Sequence, residues 1–171
     1  MLVTFDDCTV DLLDTAAPLL REAGIPAVAF AVTRLLGGTN EWSRKEAPRL
    51  RLLDRDGLHR LAESGIAVGS HTQTHRRLPG LDAGDLEREV VGSADDLAEL
   101  GLGRPALIAY PHGEHDAAAR AVSRDAGYVA GLAVQLGIAC REDDRFALPR
   151  IEILRDDAGW RFLLKVARAG R

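Results

Sequence analysis

Apolar and polar positions alternate along the chain in blocks that predict strands followed by helices. Short apolar runs typical of buried strands occupy residues 2–5, 27–32, 66–71, 106–111, 128–134 and, late in the chain, 148–153. Apolar positions at helical spacing occupy residues 10–24, 55–65, 81–101, with Asp82 as the predicted N-cap, 116–127 and 156–168. This alternation predicts an α/β fold with a parallel sheet covered by helices, and it leaves open a barrel or a doubly wound sheet.

Ionisable side chains collect where the predicted strands end. Asp6 and Asp7 follow the first strand, and Arg150 lies in the late strand. Four of the five histidines follow the third and fourth strands, namely His71, His75, His112 and His115. Because the carboxyl ends of parallel strands meet at one edge of the sheet, we expect these groups to lie close together.

The spacing of His71 and His75 is compatible with a metal site. Residues four apart on a helical turn place their side chains on one face, about 5–6 Å apart at Cβ. Zinc is bound by imidazole nitrogens and carboxylates at about 2.0–2.2 Å, and the first strand supplies a candidate acid as third ligand. Two solvated histidines, and two aspartates that simply begin a turn, are the alternative interpretation.

Composition narrows the class of protein. The chain has 171 residues, of which 46% are hydrophobic, and this predicts one domain over residues 1–171. Its net charge is −4. The basic residues are scattered, so a nucleic-acid partner is not expected. Cys8 and Cys140 form no disulfide framework, and no segment is long and apolar enough for a membrane span or a signal peptide, so we expect a cytoplasmic protein. The oligomeric state is not predicted. Residues 37–55 show no regular pattern and are expected to form an irregular excursion on the surface.

Three short segments, "TFDDC", "SHTQTH" and "AYPHG", occur in this order along the chain. Together they resemble the motifs of the polysaccharide deacetylase family, also called the NodB-homology or carbohydrate esterase family 4. The resemblance implies a distorted, incomplete (β/α)7-type barrel and a metal-dependent hydrolase that removes acetyl groups from an N-acetylated carbohydrate.

The same resemblance assigns roles to individual residues. Asp7, His71 and His75 would bind a divalent transition metal, with Zn²⁺ as the expected ion, and Asp6 would be the general base. The third motif would bind substrate through Tyr110, Pro111, His112 and Gly113. The backbone N–H of His112 is the candidate donor to the oxyanion of the reaction.

The chain departs from the family pattern at several positions. In many members an Arg at the position of Ala109 orients the base, and a YPYG-type subgroup lacks this Arg, as this chain does. We hypothesise that Arg150 supplies the missing cation; a surface arginine is the alternative. The late region "ALPRI" holds no acid histidine. His112 is a candidate acid or a ring that lines the groove, His115 is a weaker candidate, and the acid stays unresolved.

Some residues receive no catalytic role. Cys8 stands where the family has Gly, and we expect a buried, inert thiol rather than a metal ligand. His59, Trp42 and Trp160 are expected to be surface, packing or rim residues. Two other functions remain open: the same metal centre acting on another small amide or C–N bond, and a catalytically impaired carbohydrate-binding relative.

Overall fold

A single parallel sheet organises the chain in the computed structural model, which describes residues 1–43, 48–154 and 156–169. Its five strands are β1 (Val3–Phe5), β2 (Ala27–Ala31), β3 (Ala67–Ser70), β4 (Leu107–Ala109) and β5 (Ala130–Leu132). They lie in the sheet in chain order. A doubly wound sheet reverses its strand order at a switch point, and this sheet has none. The sheet curls into an incomplete barrel covered by helices, which confirms the predicted fold class.

Among the described residues, five α-helices accompany the strands. They are α1 (Ala17–Glu22), which follows a π-helical turn at Leu12–Ala16, α2 (Arg55–Glu63), α3 (Ala83–Glu99), α4 (Ala117–Asp125) and α5 (Trp160–Ala169). The side chains of Asp54, Asp82 and Asp116 cap α2, α3 and α4, each accepting a backbone N–H at 2.8 Å. Such caps satisfy N–H groups that have no partner within the helix. The N-cap predicted at Asp82 is therefore confirmed.

The two faces of the sheet bury different side chains. Val28 and Phe30 of β2 pack inside the curl with Ala109 and Leu132. The alternate positions of β2 are alanines, and they pack outward against leucines of the helices. Small residues on the outer face let the helices approach closely, while the larger side chains fill the inside of the barrel.

The predicted late strand at residues 148–153 is wrong. Leu148 alone forms a parallel bridge, to Leu132 of β5, and the residues after it are not a strand. Pro149 follows immediately, and a proline has no N–H to continue a ladder. The backbone N–H of Arg150 still bonds Gln135 at 2.9 Å, so the segment stays beside β5 and carries Arg150 to the carboxyl edge.

The irregular segment predicted at residues 37–55 lies against the end of β1. Antiparallel bridges join Thr39 to Arg51 and Thr9 to Leu52. Asn40 accepts the N–H of Leu50 at 2.8 Å and so closes the excursion at its base. Residues 44–47 of this segment lie outside the described residues. The excursion brings Trp42 over the carboxyl edge of the sheet.

The C-terminal helix α5 is the least buried element. None of its residues is buried, and Trp160 is 69% exposed, so Trp160 is not a core residue. Within the described ranges, no helix has both the length and the apolar character needed to span a membrane. That residues 1–171 form one domain stays a prediction.

Candidate metal centre and active site

Three loops meet at the carboxyl edge of the sheet, after β1, β3 and β4. They contain every non-glycine residue with a positive φ in the described part of the chain: Asp7 (70°), Cys8 (54°), Thr72 (67°), His75 (61°) and His112 (59°). Such residues cost about 1–3 kcal/mol each, and they collect where the surrounding structure holds functional groups in place. The concentration of strain marks this edge as the candidate site.

His71 is held in a defined tautomer at the end of β3. Its side chain is 2% exposed, and Nδ1 lies 2.7 Å from the carbonyl oxygen of Ala109. A carbonyl oxygen only accepts, so Nδ1 donates its proton to it, and in the neutral imidazole Nε2 is the nitrogen with the free lone pair. Nε2 lies 3.5 Å from Oδ1 of Asp7. A second-sphere bond of this kind typically orients a metal-binding histidine.

The cluster of Asp7, His71 and His75 fits a metal ion. One ligand atom from each lies within 4.8 Å of the others, and Oδ1 of Asp7 is 3.5 Å from Nε2 of both histidines. Tetrahedral ligands at about 2.0–2.1 Å from zinc stand about 3.3–3.4 Å apart. Oδ1 of Asp7 is buried and has no hydrogen-bond partner among the described residues. A bound cation would supply the missing partner.

Burial shapes the ionisation of these ligands. Desolvation, helped by the charges of His71 and His112, lowers the pKa of His75 to about 3. Desolvation also raises the pKa of Asp7, and the neighbouring Asp6 carboxylate adds to this rise against the opposing effect of His71. A neutral imidazole is the form that binds metal, and a cation would restore the charge on Asp7.

Asp6 lies beside this cluster and is paired with Arg150. Nη1 and Nη2 of Arg150 donate to the two carboxylate oxygens of Asp6 at 2.7 and 2.9 Å. Burial would raise the pKa of Asp6, but the charges of His71 and Arg150 and the bonds from Arg150 outweigh it and lower the pKa. The sequence-based expectation that Arg150 lies beside Asp6 therefore agrees with the geometry.

Arg150 also spans the open side of the incomplete barrel. Its Nε donates to the carbonyl of Ala133, just after β5, at 2.9 Å, while Nη1 also donates to Oγ1 of Thr4 in β1 at 3.2 Å. β1 and β5 are the two edge strands of the sheet. One side chain thus links β1 to the end of β5 across this open side, and it fixes the orientation of Asp6.

In the loop after β4, the side chains of Tyr110 and Pro111 do not face a substrate site, although the sequence predicts that they would. Tyr110 is fully buried, and its hydroxyl donates to the carbonyl of Phe146 at 2.9 Å, so its ring belongs to the core rather than to a groove. Pro111 is buried as well. Gly113 has φ 71°, and a Cβ there would lie 2.5 Å from the backbone nitrogen of Val134. His112 is the member of this loop whose side chain reaches the surface.

The other three candidate residues, His112, His115 and Cys8, lie in different surroundings. The ring of His112 stands 4.7 Å from that of His75, edge to face, at the mouth of the site. His115 points elsewhere: its Nδ1 lies 3.0 Å from Nη1 of Arg120. Cys8 is 1% exposed, and burial with the charges of Asp7 and Asp6 raises its thiol pKa far above the usual value. A thiol that stays protonated is a poor metal ligand.

Two features of the site were not expected from the sequence. Trp42 stacks on His75 with ring centroids 4.1 Å apart and 14° between the planes. It lies in the irregular segment, where no periodicity indicates which residues face the site. Glu89 and Asp96 of α3 are buried and bond the loop that carries the histidines. Acidic residues on an otherwise apolar helix face were the signal that could have revealed them.

The fold and the site together define an incomplete β/α barrel whose carboxyl-edge loops carry an Asp–His–His cluster of the size that holds a metal ion. A model of the polysaccharide deacetylase family matches residues 1–131, and the chain belongs to this family.

Two curated relatives are similar over most of the chain. YxkH of Bacillus subtilis (strain 168), whose name places it among polysaccharide deacetylases, is 26% identical over 153 residues, or 90% of this chain and 51% of YxkH. A poly-beta-1,6-N-acetyl-D-glucosamine N-deacetylase of Staphylococcus epidermidis is 27% identical over an alignment of 164 positions, which covers 90% of this chain and 54% of that protein. The chain spans about half the length of the curated relatives it matches.

Solved structures show the same fold. The Streptococcus pyogenes deacetylase PplD in complex with acetate superposes with a TM-score of 0.79 at 23% identity, covering 95% of this chain and 68% of that one. IcaB from Ammonifex degensii also gives a TM-score of 0.79, at 20% identity, covering 98% of this chain and 71% of that one. At these identities the likeness establishes the fold alone.

Proposed function

We propose that the protein is a metal-dependent deacetylase that hydrolyses the acetamide of an N-acetylated sugar. The observation that carries the proposal is the Asp7–His71–His75 cluster with the Asp6–Arg150 pair beside it, in a member of the polysaccharide deacetylase family. Zn²⁺ is the ion we propose, because two imidazoles and one carboxylate suit it. A bound ion would polarise the acetyl carbonyl and lower the pKa of a water molecule.

Asp6 is the general base in this proposal. Its Oδ2 lies 4.0 Å from Nε2 of His71, so the carboxylate borders the ligand set. A lowered pKa keeps Asp6 ionised at neutral pH, ready to accept a proton from water. Each carboxylate oxygen has two acceptor sites, so the bonds from Arg150 leave acceptor capacity on both oxygens. Ala109 would then mark the subgroup without the third-motif arginine, with Arg150 in its place.

The loop after β4 provides the other groups. The backbone N–H of His112 is our candidate donor to the developing oxyanion, and backbone atoms of Tyr110 and Gly113 would complete this side of the substrate site. The exposed imidazole of His112 would protonate the leaving amine or line the groove. Trp42 would form the opposite wall, because its ring already covers His75.

A linear polymer of N-acetylglucosamine is the substrate class to test first. The Staphylococcus epidermidis relative is named for its action on poly-beta-1,6-N-acetyl-D-glucosamine. We propose the same type of substrate for this chain, either as a polymer or as an oligomer. Small acetamides and other C–N substrates are the competing possibility.

The experiment measures acetate and free amine released from β-1,6-linked and β-1,4-linked N-acetylglucosamine oligomers and from small acetamides. Asp6→Asn is compared with wild type, and Asp11→Asn, at an exposed aspartate near the same strand, is the matched control. We expect Asp6→Asn to lower kcat by about 10²–10⁴-fold and the control to match wild type. Equal rates for wild type and Asp6→Asn, or release from small acetamides alone, would contradict the proposal.

A further inference from the structure

Helix α3 presents two buried carboxylates to the loop that carries the histidines. Glu89 is 4% and Asp96 9% exposed. They are seven residues apart, which places both on one face of the helix, two turns from each other. Gly92 lies between them on the same side. We refer to Glu89, Gly92 and Asp96 as the α3 socket.

Glu89 bonds the middle of the loop from His71 to His75, which we call the histidine loop. Its Oε2 accepts the backbone N–H groups of Gln73 at 3.0 Å and Thr74 at 2.9 Å, and its Oε1 accepts the Thr74 hydroxyl. Among the described residues no cation pairs with this carboxylate. A buried carboxylate needs donors to compensate its lost hydration, and all those found here come from the loop between His71 and His75.

The rest of the socket receives the side chain of Gln73. Its Nε2 donates to Oδ2 of Asp96 at 2.8 Å. A Cβ on Gly92 would lie 2.7 Å from that same Nε2, so glycine leaves the space that the amide occupies. Asp96 also accepts the Thr33 hydroxyl at 2.6 Å and pairs with Arg34 at 2.8 Å. The socket therefore holds the histidine loop and the loop after β2 together.

The histidine loop has a conformation that its residues do not favour on their own. Thr72 and His75, on either side of the bonded residues, have φ values of 67° and 61°. A positive φ at a β-branched residue such as Thr72 is a genuine outlier. Such a backbone persists only where neighbouring groups over-determine it, and the hydrogen bonds that Glu89 accepts from the loop meet this requirement.

We propose that Glu89 is a positioning residue for the metal centre. By holding Gln73 and Thr74, it keeps the loop in the one conformation in which Nε2 of His71 and Nε2 of His75 face the same oxygen of Asp7. Gly92 and Asp96 support it by seating the Gln73 amide. This inference rests on the proposed function in taking His71 and His75 as metal ligands.

The test measures zinc affinity of the metal-free full chain by competition with a chromophoric chelator. Glu89→Ala removes every acceptor, and Glu89→Gln keeps the shape but removes the charge. Glu87→Ala and Glu87→Gln, at an exposed position on the same helix, are the matched controls. Loss of an outer-shell partner typically weakens metal affinity about 10–100-fold, so we expect about 10-fold for Glu89→Gln and about 100-fold for Glu89→Ala. Unchanged affinity in both Glu89 variants would overturn the proposal.

Gly92→Ala separates positioning from general stability. Alanine favours a helix over glycine, so the thermal midpoint of the metal-free protein is expected not to fall. The added methyl group displaces the Gln73 amide, and zinc affinity is expected to weaken by about 10-fold. If affinity changes across all these variants only in proportion to the folded fraction, Glu89 has no positioning role.

A readout without metal distinguishes this inference from the proposed function. Hydrogen exchange of the Gln73 and Thr74 amides in the metal-free protein is expected to accelerate in Glu89→Ala and to stay as in wild type in Glu87→Ala. Equal protection of these amides in all three proteins would overturn the inference. A wild-type protein that takes up no zinc would overturn the proposed function, while the exchange rates would still decide whether Glu89 holds the loop.

Discussion

Replacing Arg150 by methionine tests the contact that links the candidate base to the open side of the barrel. The change removes the two bonds to Asp6 and those to Thr4 and Ala133, while it keeps much of the apolar stem. The carboxylate of Asp6 is then left half-buried without its cation. We expect the free energy of unfolding to fall and the Asp6 carboxylate to lose its fixed orientation.

The magnitude follows from the exposure of the pair. Exposed ion pairs contribute about 0–1 kcal/mol, and breaking a fully buried pair costs about 3–5 kcal/mol. The side chains of Arg150 and Asp6 are 13% and 32% exposed, so we place the cost of Arg150→Met between these limits, at about 2–3 kcal/mol. For a chain of this size this corresponds to a fall in Tm of about 5–10 °C.

The pH dependence has a defined sign. Because the pKa of Asp6 is lowered in the folded state, its contribution to stability is present above the ordinary value of 3.8 and is lost as the pH falls through the folded-state pKa. The difference in unfolding free energy between wild type and Arg150→Met should therefore be largest near neutral pH. It should shrink in acid below the ordinary aspartate pKa.

Urea unfolding of wild type, Arg150→Met, Asp6→Asn and the double variant measures this coupling. Arg150→Lys is the conservative control, and it should fall between wild type and Arg150→Met because an ammonium cannot bond all these acceptors at once. If Arg150→Met costs less than about 0.5 kcal/mol near neutral pH, or costs the same in the Asp6→Asn background, the two side chains do not stabilise the protein as a coupled pair.

Three further predictions concern buried groups. Tyr110→Phe should cost about 1–2 kcal/mol of unfolding free energy, because it leaves the Phe146 carbonyl unpaired. The rate of deacetylation should not change. A loss of activity without a loss of stability would contradict the core position of this ring. A thiol reagent should modify Cys140 alone in the native protein and reach Cys8 only after unfolding, and two fast-reacting thiols would show that Cys8 is accessible. Below the ordinary histidine pKa of 6.5, folding of the metal-free protein should weaken by about 1.4 kcal/mol per pH unit, because unfolded His75 takes up a proton that the folded state, with a pKa of about 3, excludes. The steepness should fall in His75→Gln when unfolding is followed from about pH 6.5 downward, and equal slopes would contradict this explanation.

The sequence predicted those parts of the molecule that local patterns determine. The strands and helices up to β5 follow hydrophobic periodicity, and the ends of parallel strands identify the edge where Asp6, Asp7 and the histidines meet. Pairing of Arg150 with Asp6 was also anticipated, although the strand expected to deliver it is only a bridge beside Pro149.

Other features depend on contacts that no local pattern records. The ring of Tyr110 points into the core because a buried carbonyl at Phe146 accepts its hydroxyl, and that partner is 36 residues away in the chain. Trp42 reaches His75 through an excursion without periodicity. Glu89 stands out on the apolar face of α3, but the loop whose N–H groups it accepts is known only from the structure.

The proposed function requires that Asp7, His71 and His75 bind one divalent ion on which deacetylation depends. It is tested most directly by adding Zn²⁺ stepwise to metal-free protein and measuring acetate release from an N-acetylglucosamine oligomer. We expect activity to rise from background and to saturate near about one equivalent for wild type and for the control His59→Ala, and we expect no rise for His71→Ala. Full activity in the metal-free protein, or an equal response of His71→Ala, would contradict it.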